Sequence, residues 1–266
     1  MKKNILIVAV AIVAIVCGIA AYFYWLHSPA KTEQQAQVPP VVAVPPAPTL
    51  EKVIEAPPEP PVLPKLSESD KTVRDILSGL LNNESLLKLF HPERIIRNIV
   101  ATIDNLPRKR VSANIIPVKR PPGPFLTAGT EEEKTISPKN AARYAAYVKI
   151  AEVIPAQKLV EIYVRFYPLF QQAYEELGYP KKYFNDRLLA VLDHLLAAPE
   201  PKEPVKLDQP GVFYLYADAE LEARSAGQKI LMRIGAQNEL KIKAKLREIK
   251  QQVLLNMRDR KTGDAK

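Results

Sequence analysis

PAQKLVEIYVRFYPLFQQAYEELGYPKKYFNDRLLAVLDHLL, residues 155–196, reads as two helices and the turn between them. Tyr163, Tyr167, Phe170, Tyr174 and Leu177 recur at spacings of three and four, and Leu159, Ile162, Phe166, Leu169 and Ala173 form an adjoining stripe. Two such stripes make a helix apolar over most of its girth, and a helix of that kind belongs at the centre of a domain. Pro168 lies inside it and predicts a kink, because its missing N–H removes one backbone hydrogen bond. Gly178 closes the helix, and Pro180 helps start the next, which runs to about Ala197 with Phe184, Leu188, Val191, Leu192 and Leu195 facing the core. A central apolar helix and its amphipathic partner predict an all-α domain built as a compact multi-helix bundle.

Helical punctuation continues on both sides. Toward the C-terminus, residues 199–216 read as an extended connection. A small-faced helix then spans about Ala219 to Ile234 and stops at Gly235. A final amphipathic helix covers about Gln237 to Met257, with Ile242, Leu246, Ile249, Val253 and Met257 on one stripe and Lys241, Lys243, Lys245, Arg247 and Lys250 flanking it as a solvated basic face. Toward the N-terminus, Ser137 and Pro138 start a helix through about Val153, by the pairing of a capping residue with a first-turn proline. Ser69 and Asp70 precede a periodic stretch to Leu81, and Pro92 opens a helix through about Asp104 that Pro107 ends. Residues 107–136 are basic, proline-rich and irregular, and Phe125–Ala128 and Lys134–Ile136 predict a hairpin across the GTEEE turn. The bundle is therefore expected to carry at most a small β-hairpin.

Upstream of the bundle the composition changes twice. Residues 5–26 are 22 residues without a charge, enough to cross a hydrocarbon core of roughly 30 Å as a helix. Lys2 and Lys3 precede the run, and Tyr22, Phe23, Tyr24 and Trp25 close it like an interfacial belt. A cleaved signal peptide has a shorter apolar region and a small-residue cleavage site, and a lipoprotein cysteine follows a small residue, whereas Cys17 follows Val16 with nine apolar residues after it. The pattern favours an uncleaved single-pass anchor with its N-terminus in the cytoplasm. Residues 28–64 hold 11 of the chain's 25 prolines and no glycine, so they cannot bury a core and act as an extended spacer. The expected organisation is a cytoplasmic end and transmembrane helix over residues 1–27, a disordered proline-rich linker over 28–65, a helical periplasmic domain over 66–257 and a basic disordered tail over 258–266. The formal charge of +9 lies almost wholly beyond the linker. It does not upset this topology, because long domains translocate largely regardless of charge.

Several chemistries lack their usual residues. Three histidines and a single cysteine inside the apolar run give no common His/Cys metal cluster, and the exported domain can form no intramolecular disulfide. The nine glycines build no phosphate loop, and no GxSxG stretch is present, so no cofactor is expected. The basic RKR at 108–110, the KRPPGP at 119–124 and the final helix suit anionic headgroups or an acidic partner, or simply a solvated face, and nucleic acid is not expected outside the cytoplasm.

Residues 167–196 are the candidate site. At 100° per residue Asp186 and Asp193 share one helix face, and Arg187 and His194 share an adjoining one. Gln171 and Asn185 project toward apolar surroundings and need partners if buried. A functional reading gathers Tyr174, Glu175, Tyr179, Asn185, Asp186 and His194 around a polar cleft, with Glu175 or Asp186 as an acid or base. The structural alternative assigns these polar groups to helix ends and helix registry.

The phrases IIRNIVATIDNLPR, SPKNAARYAAYV, YPLFQQAYEELGYPKKYFNDRLLAVLDHLL and LEARSAGQKILMRIG together resemble a bacterial family known as a domain of unknown function. That resemblance implies a Gram-negative inner-membrane protein with an N-terminal span, a proline-rich stretch and a periplasmic helical domain. It brings no activity or catalytic residue. Two functions are expected to compete: a non-enzymatic binding or scaffolding module for an envelope protein or cell-wall glycan, and an envelope hydrolase acting on peptidoglycan. The missing catalytic motifs favour the first.

Overall fold

The computed structural model describes residues 63–202 and 204–263. The expected span at residues 5–26 lies outside them, as does nearly all of the linker. Among the described residues no helix is long and apolar enough to cross a membrane.

A 3-10 turn at Leu66–Glu68 leads into α1 (Ser69–Leu81), which buries Val73, Ile76, Leu77 and Leu81 and ends at Asn82 in the left-handed conformation. Asn is one of the few residues suited to that position. The short α2 (Glu84–Leu87) is capped by Asn83. α3 (Ile95–Asn105) follows, capped from a distance: the Asp70 carboxylate accepts from the N–H groups of Arg94 and Ile95 at 2.7 and 2.8 Å. Asp70 thus begins one helix and satisfies two orphan donors of another.

Strands β1 (Thr127–Gly129) and β2 (Lys134–Ile136) form the expected hairpin. The helix expected over 137–153 is two, α4 (Asn140–Arg143) and α5 (Ala145–Val153), meeting at Tyr144. α6 (Ala156–Glu176) is the central element and packs on both α3 and the last helix. Its buried set includes Leu159, Ile162, Tyr163, Phe166, Phe170 and Tyr174, so both predicted stripes face protein. Pro168 sits on the exposed side of the helix, and Val164, whose carbonyl a residue with an N–H at position 168 would bond, is half-buried. α7 (Phe184–Leu196) begins later than the expected start at Pro180, which lies in the turn that Gln171 braces.

The expectation of at most a hairpin is corrected beyond this point. β3 (Lys206–Asp208) and β4 (Leu215–Tyr216), within the stretch read as an extended connection, complete a four-stranded antiparallel sheet ordered β1-β2-β3-β4. Lys134 pairs with Leu207, and Leu207 with Tyr216. Strands of two and three residues carry too little alternation to be read locally, and long-range pairing creates them. Val205, Tyr216 and Met232 form a small satellite core beneath the sheet. α8 (Ala219–Glu222) and α9 (Ala226–Arg233) replace one expected helix, because Ser225 accepts from the Gln228 N–H and caps a new start. α10 (Ala236–Gly263) runs past the expected end at Met257, with neither glycine nor proline before Gly263 to stop it.

The basic face of α10 is not simply solvated. Lys243 is 1% exposed and donates to the Ala198 carbonyl at 2.6 Å and to Glu200 at 2.8 Å. Its Nζ also lies 3.0 Å from buried Glu239, a charge contact without hydrogen-bond alignment. Lys241 pairs with Glu152, and Lys250 with Asp193.

Candidate functional site

The end of α6, the turn after it and the start of α7 stand on an aromatic cluster. Phe170 and Phe184 stack with centroids 6.0 Å apart, and Tyr174 meets Phe184 at 5.5 Å. Tyr174 in turn stacks on Tyr179 at 4.7 Å, so ring contacts run from the core to the surface turn. Gln171 holds that turn. Its Oε1 accepts from the Phe184 N–H at 2.9 Å and the Tyr167 hydroxyl at 3.0 Å, and its Nε2 donates to the Lys182 carbonyl and to Glu175. Every amide position of Gln171 is engaged in shaping the loop.

Beside this platform Asp104, 2% exposed at the end of α3, gathers donors from three segments. Arg187 Nε donates to Oδ1 at 2.8 Å, while Arg108 Nη2 and the Tyr179 hydroxyl donate to Oδ2 at 2.9 and 3.2 Å. A second guanidinium nitrogen of Arg187, Nη2, donates to the Asp104 carbonyl at 2.5 Å. Two charged donors and a phenol compensate a carboxylate that is costly to bury alone. They also fix the Arg187 guanidinium through two of its nitrogens. Over this node opens a cleft of about 410 Å³ lined by Tyr174, Tyr179, Lys181, Lys182, Tyr183, Asp186 and Arg187, with Asp104 at its base. Lys182 sits over the Tyr179 ring at 5.4 Å, and Tyr183 is 67% exposed. Burial, then the Asp104 charge, raise the Tyr174 pKa above that of a free phenol, with Arg187 pulling the other way.

Four residues named from the sequence, Tyr174, Tyr179, Asp186 and Arg187, come together in this cleft. The rest are engaged elsewhere. Gln171 braces the loop, with exposed Glu175 as one of its partners. Asn185 accepts from the Tyr163 hydroxyl, and Asp193 pairs with Lys250 of α10. His194 Nε2 lies 2.7 Å from Ser225 Oγ, and its carbonyl accepts from Gln228. Ser225 in this Ser–His contact is buried, and the neighbouring N–H groups of Ala226 and Gly227 are already bound to the carbonyls of Arg108 and Leu106, so neither of these two is free to hold an oxyanion. Among the described residues no three His, Cys, Asp or Glu side chains converge to hold a metal ion.

Sequence reasoning missed Asp104, Arg108, Lys181, Lys182 and Tyr183 as members of the site. One signal was available: Asp104 continues the Ile96 and Val100 spacing on the apolar face of α3, where a carboxylate needs a partner.

The family described as "Protein of unknown function (DUF3014)" matches residues 95–250. The chain belongs to the DUF3014 family. The DUF3014 match opens at the first residue of α3 and closes within α10, so it holds the whole cleft and leaves α1 and α2 outside. No curated protein and no solved structure matches the chain.

Proposed function

We propose that this DUF3014 protein is a single-pass envelope protein of the bacterial inner membrane whose helical domain is a binding module. The domain faces the periplasm and engages a cell-wall component or an envelope protein through the cleft between α3 and α7. Support for the address comes from the uncharged run at residues 5–26 and the proline-rich stretch after it. Support for binding comes from the cleft itself. Its buried base is fully hydrogen-bonded, its shape is set by Gln171 and Asp104, and its rim offers cations and an exposed ring. A preorganised concave surface with a few fixed polar groups is what ligand sites share.

Cell-wall hydrolysis has less to draw on. Asp186 shares the cleft with one other carboxylate, Asp104, whose oxygens are occupied by Arg108, Arg187 and Tyr179. Glu175 accepts from Gln171 outside the lining. Neither arrangement pairs a free acid with a free base. The test is crosslinking in living cells from a photoreactive residue placed at Tyr183 in the full chain. One dominant envelope adduct, absent when the photoreactive residue is moved to Val212, is the expected result. Equal adducts from both positions, or a cleared zone in a cell-wall zymogram that Asp186→Asn abolishes, would overturn it.

A further inference from the structure

We infer that the cleft recognises a carboxylate-bearing cell-wall fragment, with the anion on Arg187 and the lysine rim and a sugar or peptide face on Tyr183. This rests on the reading of the cleft as a binding site and names the chemistry it selects. Arg187 is the centre of the argument. Its Nε and Nη2 are bound to the side chain and carbonyl of Asp104, and among the described residues Nη1 has no protein partner. The side chain is 29% exposed and lines the cleft, so a held guanidinium is presented with one edge still available. An arginine fixed in this way meets a carboxylate without the usual loss of side-chain freedom.

The surrounding charge has the same sign. Asp104 neutralises one of the two arginines it binds, which leaves a net positive node, and exposed Lys181 and Lys182 add to it against exposed Asp186. The faces of Tyr179 are taken by Tyr174 and Lys182, so Tyr183 is the ring left open for stacking. A cleft of about 410 Å³ suits one sugar ring or a short peptide stem rather than a folded partner. Peptidoglycan fragments carry both elements, a ring face and free carboxylates. An acidic protein segment supplies the charge without the sugar ring, and it is therefore an outcome of the test.

Calorimetric titration of the full chain in a lipid nanodisc decides the matter, with three probes at low salt. These are a disaccharide tetrapeptide with free carboxylates, the same molecule with its carboxylates amidated, and an acidic peptide without sugar. The first is expected to bind at least about tenfold more tightly than the other two, since hydrogen bonds to charged groups are the stronger class. Lys181→Gln with Lys182→Gln, both exposed although Lys182 also rests over the Tyr179 ring, should weaken it severalfold, Arg187→Gln should weaken it further, and Tyr183→Ala should weaken all sugar-bearing probes. Equal binding of the amidated fragment, still sensitive to Tyr183→Ala, overturns anion recognition while leaving the cleft a binding site. Tighter binding of the acidic peptide overturns the cell-wall assignment. No binding of any probe, together with no adduct from position 183 in cells, overturns both the inference and the reading beneath it.

Discussion

Asp104 is a carboxylate set into the apolar face of α3, and its burial is tolerated because Arg108, Arg187 and Tyr179 all donate to it. Removing one member of a buried ion pair typically costs about 3–5 kcal/mol, because the partner is left charged and unpaired. Here the partners are part-exposed, with side-chain exposures of 55% for Arg108 and 29% for Arg187, so water recovers some of that loss. Asp104→Ala is therefore expected to lower the unfolding free energy by about 2–3 kcal/mol, and Asp104→Asn by less because the amide oxygen still accepts. Urea denaturation of both variants checks this, and a change under about 0.5 kcal/mol for the alanine variant would show that Asp104 carries no structural weight. The node also marks how far the site could be read from sequence. Tyr174, Tyr179, Asp186 and Arg187 lie within one turn-linked stretch, so local periodicity places them together. Asp104 reaches Arg187 from 83 positions away, and only the fold brings it there. Gln171 was legible as a polar group in apolar company, but its task of tying the loop at Lys182 and Phe184 depends on a turn geometry no spacing specifies.

Three elements meet where α9 docks its first turn on the end of α3 and the side of α7. The N–H groups of Ala226 and Gly227 donate to the carbonyls of Arg108 and Leu106, so the orphan donors of one helix satisfy carbonyls beyond another. Gly227 makes that approach close. A Cβ there would stand 2.6 Å from Leu195 Cδ2 and 3.1 Å from the Leu106 carbonyl oxygen. Alanine is favoured over glycine by up to about 1 kcal/mol inside a helix, yet overpacking a closed core costs about 1–3 kcal/mol, and the clash wins because Leu106 contributes backbone. Gly227→Ala should destabilise the domain by about 1–2 kcal/mol. Gly211→Ala should leave it within about 0.5 kcal/mol, since nothing lies within 4 Å of its added carbon. Thermal unfolding of the two variants side by side gives the comparison, and a stabilised Gly227→Ala would mean that Leu195 and the Leu106 backbone yield to the added methyl group. Elements of this size differ in how legible they are. α6, α7 and α10 announce themselves by ten or more residues of regular spacing, whereas the break at Ser225 hides inside a periodic stretch and the strands β3 and β4 exist only through pairing.

Across the whole molecule, buried titratable groups set how stability follows pH, and they pull in opposite directions. Burial disfavours the imidazolium of His194, and the Arg187 charge adds to that, so its pKa lies below the usual 6.5. A group whose folded value is depressed in this way takes up its proton first in the unfolded chain. Stability is therefore complete above about pH 6.5 and falls as the pH drops from there toward the folded value. Glu239 behaves inversely. Burial raises its pKa above the usual 4.5 against the pull of Lys243, so it favours the fold at low pH, and that contribution is lost as pH rises through the folded value. Glu152, Glu176 and Glu200, drawn down by bonds to Lys241, Arg97 and Lys243, act only below 4.5, where protonation removes their support. Among the described residues whose shift is resolved, the first loss on acidification thus belongs to His194. The unfolding temperature of the full chain is expected to fall between pH 7.5 and 5.5, and His194→Gln, which keeps a polar group near Ser225, should flatten that step. Glu239→Gln should leave the fall at least as large, because it removes a group whose protonation offsets it. An unchanged step in His194→Gln would assign the acid sensitivity to another group, and with it detach the α7–α9 contact from the pH response of the domain.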